Sequence, residues 1–593
     1  MGALAVSEAW PVLSTSLERS VEPHRAGADL RGMRNRGDLE RHLLTLLLMP
    51  ALGLFKAKAL KTYSGTVLGL ATGRQRPYSA DEMEHFILNC VRVGWTEPLT
   101  AAVAGWATQL WASRAPNETE APAYLYWDWH VKAVYSDYRI PRTKHGTRQQ
   151  IVGARKQLML HDAAGHLLFL RTYRGDTHLI AGMVDGTAYY EGLAESRRLT
   201  HQIFDREGLS VTHFKDLLAE DEPRQFITCL KSNQYAGLDS FESITGFAPF
   251  RYDRQGRVVQ ELAEASYELS DRRAGEDSLA LRAILLRRPP ARPEDATEDK
   301  ARLHVLITSD WETPATAIAH WYRGRYPKQE NAIRDWWLPL GGDVNVGYDK
   351  RQVENSELAR RKEELEGQVK TLVRYLTASQ GRLQKAQDQH QKRAAHYQAA
   401  WQAAQQTLQA VIQKRAAQGE AAWPFYRWAQ AEESRLRQQV EPQRARVQAA
   451  AERIEKEREK QQNYCRAQEE KTRALVELTQ KMATCPMFEL DDRKDQLLSA
   501  LRVCLVNVLQ WLRDTVFPES YAHVTCPTLA PFVQMGGYVI QRPDRLEVLL
   551  DGFWQAARHR DLEEVVARCN ARAFTALDGR PLWFRICPSP GHI

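Results

Sequence analysis

Three carboxylates stand out by position: Asp128, Asp205 and Glu330. Asp128 sits in the middle of YLYWDWHVKAVY, residues 124–135, a run of aromatic and apolar residues that reads as a strand. Period-two alternation puts Leu125, Trp127, Trp129, Val131 and Ala133 on one face, and Tyr124, Tyr126, Asp128, His130 and Lys132 on the other. Asp205 follows an apolar pair in IFDREG, and Glu330 lies in the helical stretch WYRGRYPKQENAIRDWW. Each has a plain alternative. Asp128 fits a solvent-facing acid, Asp205 a turn-starting residue, and Glu330 a surface partner of Arg334 one turn on. Such a pair contributes at most about half a kcal/mol. Brought together, the three would repel unless a cation sat among them. Hard oxygen ligands of this kind suit Mg²⁺ or Mn²⁺. Two such ions about 4 Å apart can activate a nucleophilic oxygen and stabilise a leaving oxygen in phosphodiester displacement.

The order of elements favours such a meeting. The Asp128 strand leads into LMLHDAAGHLLFL, where two apolar runs flank the turn Asp162-Ala163-Ala164-Gly165. A helical segment follows, about residues 185–198, then the short strand ending at Asp205 and the strand QFITCLK. Residues 236–300 read as a β-rich insertion that includes FRYDRQGRVVQEL and SLALRAILL, with RRPPARPEDATEDK, residues 287–300, as a loop. LHVLITSD returns to a buried strand. It runs into a helix from about Pro314 to Trp337, which Pro327 should kink or restart. A central strand, its neighbour and a flanking helix can bring the three acids to one place.

In three of these blocks the chain resembles a DDE transposase of the bacterial insertion-sequence type. YWDWHVKAVYSD with RTKHGTRQ and the hairpin resembles the first-Asp block, IFDREGLSVTHFKDLL with FITCLK the second, and ITSDW with YRGRYPKQENAIRDW the Tyr-Arg-Glu block. The resemblance implies an RNase H-like core over residues 119–347. It makes Asp128, Asp205 and Glu330 both catalytic and metal ligands, holding two Mg²⁺ or Mn²⁺ ions. It also implies double-stranded DNA as partner, both the terminal repeats of a mobile element and its target, with cleavage and strand transfer as the reaction. Tyr322, Arg323, Arg325 and Lys328 would then contact phosphate near the site, and Lys144, Arg148, Arg155 and Lys156 would do so along the first hairpin. Any one of these cations also fits a solvated surface position. The chain departs from the pattern in three places. Trp129 stands where the relatives often have Gly, which would crowd the site. Four residues separate Arg325 from Glu330 where three are usual, and Trp337 replaces an expected Lys.

The remaining elements frame this core. The expected fold is a multidomain α/β chain. Residues 1–30 form a flexible leader and 31–118 a helical domain, a candidate DNA-binding module. The core of 119–347 follows, then a coiled-coil helical hairpin over 348–485 and a small α/β domain over 486–593. Ser79-Ala80-Asp81-Glu82 has capping-box spacing, and APNETEAP, residues 115–122, reads as a linker. Val369, Leu376, Leu383, His390, Tyr397, Ala404 and Val411 recur every seven residues, with Leu358, Leu365 and Leu372 in the second seam. GEAAWPF, residues 419–425, breaks that helix. Val440, Val447 and Ile454 continue a second arm in which Pro442 should cause a kink. The pattern fits a hairpin within one chain or a parallel homodimer.

The 593 residues exceed one core, and a net charge of +7 permits a nucleic-acid partner. The eight cysteines are scattered without a C-x-x-C, so neither a zinc ribbon nor a disulfide framework is supported, and they read as reduced thiols. There is no Gly-Lys pair and hence no Walker A loop or nucleotide cofactor. Neither H-E-x-x-H nor G-x-S-x-G occurs. The longest early apolar run, residues 43–55, is too short to span a bilayer, and residues 1–20 lack a basic signal-peptide start. The expected location is cytoplasmic, with the bacterial nucleoid. Two rival readings remain: a non-catalytic DNA-binding protein derived from a transposase, and a coiled-coil scaffold.

Overall fold

The computed structural model describes residues 2–25, 30, 33–63, 67–114, 124–193, 199–221, 223–270, 278–289, 303–419 and 422–587. The linker expected at 115–122, the end of the helix expected to reach 198 and most of the 287–300 loop lie outside these residues. The chain divides into two compact units, residues 1–351 with 488–593, and residues 352–487.

The first unit is built on a ten-stranded mixed sheet. Its strands are β1 (Tyr124–Ala133), β2 (Arg142–His145), β3 (Gln150–His161), β4 (Leu167–Arg174), β5 (His201–Phe204), β6 (Gln225–Cys229), β7 (Ala248–Tyr252), β8 (Val258–Ser270), β9 (Ser278–Arg287) and β10 (Leu303–Thr308). The order is β2-β3-β1-β5-β6-β10-β9-β8-β7, with β4 also on β3. β1 runs antiparallel to β3 and parallel to β5, and β5 runs parallel to β6. The insertion is therefore not a separate layer. β9 pairs β10 and carries β8 and β7 with it, so these strands widen the central sheet.

The residues before the sheet form α1 (Gly2–Val6), α2 (Ala9–Val21), α3 (Arg36–Leu48), α4 (Val67–Ala71), α5 (Ala80–Arg92) and α6 (Thr96–Ala112). The capping box at the start of α5 is present in both directions, Ser79 to Glu82 and back. The expected flexible leader is a packed helix instead. Ala9, Leu13, Leu17 and Val21, four residues apart, are buried on one stripe of α2. Later elements of this unit are α7 (Leu179–Glu191), α8 (Val211–Leu218) and α9 (Ala315–Arg325).

The second unit is an antiparallel hairpin of α10 (Ser356–Ala417) and α11 (Ala422–Thr484). At about 1.5 Å per residue each arm is on the order of 90 Å long. Asn355 contacts the Cys485 carbonyl, Tyr375 meets Tyr464, and Arg382 pairs with Glu457 at 3.2 Å, so the partners run in opposite directions. Leu358, Leu376, Val440 and Ile454 of the heptad pattern are buried. The two arms thus meet along a seam within one chain, on which Val369, Leu372 and Leu383 are half-buried. α11 runs through Pro442 without ending.

The first unit resumes with α12 (Arg493–Val516), α13 (Cys526–Val533) and α14 (Ala556–Ala571), and with a sheet of β11 (Gly537–Gln541), β12 (Leu546–Leu550) and β13 (Leu582–Ile586). β11 and β12 form the hairpin expected at Arg542–Arg545. The divisions expected near 118 and 486 do not separate compact bodies. Leu99 and Trp106 of α6, Trp127 of β1, Phe169 of β4 and Leu501 of α12 belong to one hydrophobic core. The reason is α12: Leu497 to Trp511 are buried all round, and such a helix needs neighbours on every side.

Two layers cover the sheet around β1. Trp127 and Trp129 face α7, where the Trp127 and Trp129 rings lie against Gly186 and Gly182. Tyr126 faces α9 and donates its hydroxyl to the Trp321 carbonyl at 2.9 Å. Farther along that same face, Lys132 meets Asp495 of α12. Asp128 lies between these two covers.

Candidate active site

The strand, its neighbour and the helix do bring the three acids together, and they do so around one guanidinium. Arg325, the last residue of α9, places Nη2 3.1 Å from Asp128 Oδ2 and 3.3 Å from Glu330 Oε1. Its Nη1 is 3.6 Å from Asp205 Oδ1. The Arg325 side chain is 11% exposed and that of Asp128 18%, whereas Asp205 and Glu330 are 40% and 43% exposed. Glu330 therefore pairs with Arg325, while Arg334 pairs with Asp335. Asp205 directly follows β5, and β5 lies parallel beside β1 with Phe204 opposite Trp127. That register sets Asp205 next to Asp128.

The local winding explains how Glu330 reaches the site. After α9 the chain widens into a π-turn over Tyr326–Glu330, with the Asn331 N–H bonded to the Tyr326 carbonyl. In a π-turn, residue i+5 swings back towards the face where an α-helix carries i+4. The extra residue between Arg325 and Glu330 is absorbed there. Pro327, which has no N–H to give, sits at the start of this turn. Two glycines let backbones approach. A Cβ on Gly324 would stand 2.6 Å from the Tyr126 hydroxyl, and one on Gly165, at φ 96°, would stand 2.5 Å from the Lys328 carbonyl. The first hairpin's turn thus braces the π-turn. Buried Gln329 accepts from Arg325 Nε at 3.3 Å and helps orient the fork.

Three acids face one cation, and their electrostatics reflect it. Burial raises the Asp128 carboxyl above its ordinary value, against the lowering by Arg325. Burial also raises Glu330, which Arg325 lowers and the charges of Asp128 and Asp205 raise further. For Arg325, burial opposes the charge, but Asp128, Tyr322 and Asp205 outweigh it and lift the guanidinium above its usual range.

The other residues singled out from the sequence divide clearly. Arg155 is 1% exposed and donates to Asp492 and to the carbonyls of Val346, Gly347 and Asp491. Lys156 is 5% exposed and donates to Thr177 and Glu207. Neither offers a cation to a DNA backbone; both tie the sheet to its surroundings. Lys144 and Arg148 are exposed, and Arg148 lies over the Tyr135 ring. Tyr322 is on the buried side of α9, and Arg323 donates to Gln260. Lys328 is half-buried on the π-turn. Trp129 does not crowd Asp128. Neighbours along a strand point to opposite faces, and its ring packs against Gly182 and Tyr173.

Sequence reading missed two features. A cleft of about 790 Å³ runs from the insertion strands to Glu330, lined by Arg251, Gln260, His304, His320, Arg323 and Arg325 among others. Its basic lining comes from separate strands and a helix, so no local motif announces it. The second is the ion cluster at Lys132, whose partners lie on α12.

In donor type the three acids suit a hard divalent cation, and their uncompensated negative charge would attract one. Among the described residues, however, no three His, Cys, Asp or Glu side chains are grouped closely enough to hold a metal ion. The acids are held around Arg325 rather than against one another. Also among the described residues, no helix is long and apolar enough to cross a membrane.

No family model matches the chain, and no curated protein matches it. Among solved structures it is similar to the piggyBac transposase in the cryo-EM structure of its synaptic complex with hairpin DNA, at a TM-score of 0.28 and 14% sequence identity. The match covers 55% of this chain and 65% of that one, less than two thirds of the neighbour. A likeness this distant carries no weight here; the geometry of the site does.

Proposed function

We propose that this chain is a DNA transposase of the bacterial insertion-sequence type, cleaving and joining phosphodiester bonds at the ends of a mobile element. The observation that carries the reading is the convergence of Asp128, Asp205 and Glu330 from a strand, the end of its parallel neighbour and a helix onto one guanidinium. The strand order β4-β3-β1-β5-β6 supports an RNase H-like core, since β1 is antiparallel to β3 and parallel to β5 and β6 follows in parallel. The three carboxylates would hold two Mg²⁺ or Mn²⁺ ions, which supply activation of the attacking oxygen and stabilisation of the leaving one. In this reading Arg323, Arg251 and Lys328 draw the DNA backbone toward the acids. Lys144 and Arg148 are further phosphate contacts away from the cleft.

The test uses duplexes copied from the DNA flanking the gene. Wild-type protein is expected to cut them in Mg²⁺, and Asp205→Ala to bind them without cutting. Undiminished cleavage by that variant would sink the assignment. Short inverted repeats with a target duplication in the same DNA would mark a mobile element directly. The second reading is a non-catalytic DNA-binding protein derived from a transposase. Arg325 standing among the acids favours it, and it predicts DNA binding with no metal-dependent cutting by the wild type.

A further inference from the structure

We propose that Arg325 is the resident counter-ion of the carboxylate site, and that a divalent cation enters only as this guanidinium leaves. The inference rests on the reading of the three acids as metal ligands. Nη2 already engages Asp128 Oδ2 and Glu330 Oε1, and Nη1 lies near Asp205 Oδ1. Mg²⁺ bonds its oxygens at about 2.0–2.1 Å. It would have to take oxygens from the same carboxylates, beside a fixed positive charge. Guanidinium and cation therefore compete for one set of partners. The competition also accounts for the spacing of the acids, which are close to Arg325 but not grouped around a single metal-sized point.

The structure gives the guanidinium a place to go. Arg325 lines the same cleft as Glu330 and Arg323, and that cleft is large enough to receive the side chain. A phosphodiester in the cleft is an anion that suits an arginine fork. DNA would thus pull Arg325 off the acids while the cation replaces it. Metal and DNA would then strengthen each other's binding, as linkage requires. Without DNA, the acids would stay bridged by Arg325 and the site idle.

The experiment measures Mn²⁺ binding to the full chain by electron paramagnetic resonance, alongside thermal unfolding in EDTA. Arg325→Gln is expected to bind Mn²⁺ at least tenfold more tightly than wild type, to unfold at a lower temperature in EDTA, and to gain more from added Mn²⁺. Arg325→Lys keeps the charge but loses the fork, and should fall between the two. A short DNA duplex should tighten Mn²⁺ binding by wild type but not by Arg325→Gln. If wild type binds Mn²⁺ and both variants match it, the exchange is refuted while the metal reading survives. Equal tightening by DNA in wild type and Arg325→Gln also refutes it. If no protein binds Mn²⁺ at a site sensitive to Asp205→Asn, the metal reading itself fails and takes the exchange with it.

Discussion

One face of β1 carries two ion clusters four residues apart, and they are opposites. At Asp128, three acids share Arg325 beside an open cleft. At Lys132, the ammonium is 0% exposed and sits 2.8 Å from Asp495, also 0% exposed, with Arg155 3.9 Å from the same carboxylate. Val346 and Gln157 complete the bonds to Asp495. Burial pulls Lys132 down to about 8 against the pull of Asp495, and Lys132 and Arg155 outweigh burial to hold Asp495 below its ordinary value. The second cluster is paired, hydrogen-bonded and sealed, as a structural ion pair must be. The first leaves negative charge uncompensated and open to solvent. In the proposed reading that excess, more than the presence of acids, is what would draw a cation to the open cluster, while the sealed one holds the fold.

The contrast can be broken from either side. The largest effect is expected at the open cluster: Asp205→Asn should lower Mg²⁺-dependent DNA cleavage by about 10³-fold or more. Its chemical denaturation midpoint should barely move, because Asp205 is 40% exposed. Asp495→Ala should do the reverse. It leaves Lys132 buried without its partner and should cost about 3–5 kcal/mol in urea unfolding. Mn²⁺ affinity, measured on the protein that remains folded, should be unchanged. A loss of Mn²⁺ binding there would mean that the two clusters are not independent.

Smaller changes sharpen the same division. Gly165→Ala should cost about 1–3 kcal/mol, since φ is 96° and the Lys328 carbonyl blocks the methyl. It should also slow cleavage, because it shifts the turn that carries Glu330; wild-type cleavage by this variant would show that the brace is idle. The smallest effect concerns His161, which burial pulls down to about 3. The unfolded chain takes up this proton below about 6.5 and the fold does not. Its contribution is complete above that value and is lost as pH falls toward 3. Between pH 6.5 and 5.5 the loss should be about 1 kcal/mol, and His161→Phe should flatten that part of the acid limb. An unchanged slope would show that another group governs it.

How much of this is legible in the chain varies by element. Alternation along YLYWDWHVKAVY suffices to put Asp128 and Trp129 on opposite faces, so the crowding expected from Trp129 was avoidable. Strand ends and helix order put Asp205 at the end of β5 and Glu330 in the winding that follows α9, where the structure has them. The π-turn is not legible, because Pro327 marks a disturbance without specifying its winding. Arg155 looks like a surface cation because its partner is remote: Asp492 lies more than 300 residues on, brought back after the helical hairpin, whereas Lys156 is tied down by Thr177 and Glu207, which only the folding of the sheet brings beside it. The packed α2 was readable in the four-residue spacing of its apolar residues, which a reading of the segment as leader passed over. The basic cleft depends on β7, β8 and β10 extending the central sheet, and pairing over such separations has no local signature.

The central claim is that Asp128, Asp205 and Glu330 form a cation site now held by Arg325. Anomalous scattering from crystals of the full chain grown with Mn²⁺ and a DNA duplex tests it most directly. The account predicts a peak at coordination distance from Asp128 and Asp205, with Arg325 moved away from both. Arg325 still bridging the three acids, with no peak among them, would contradict it.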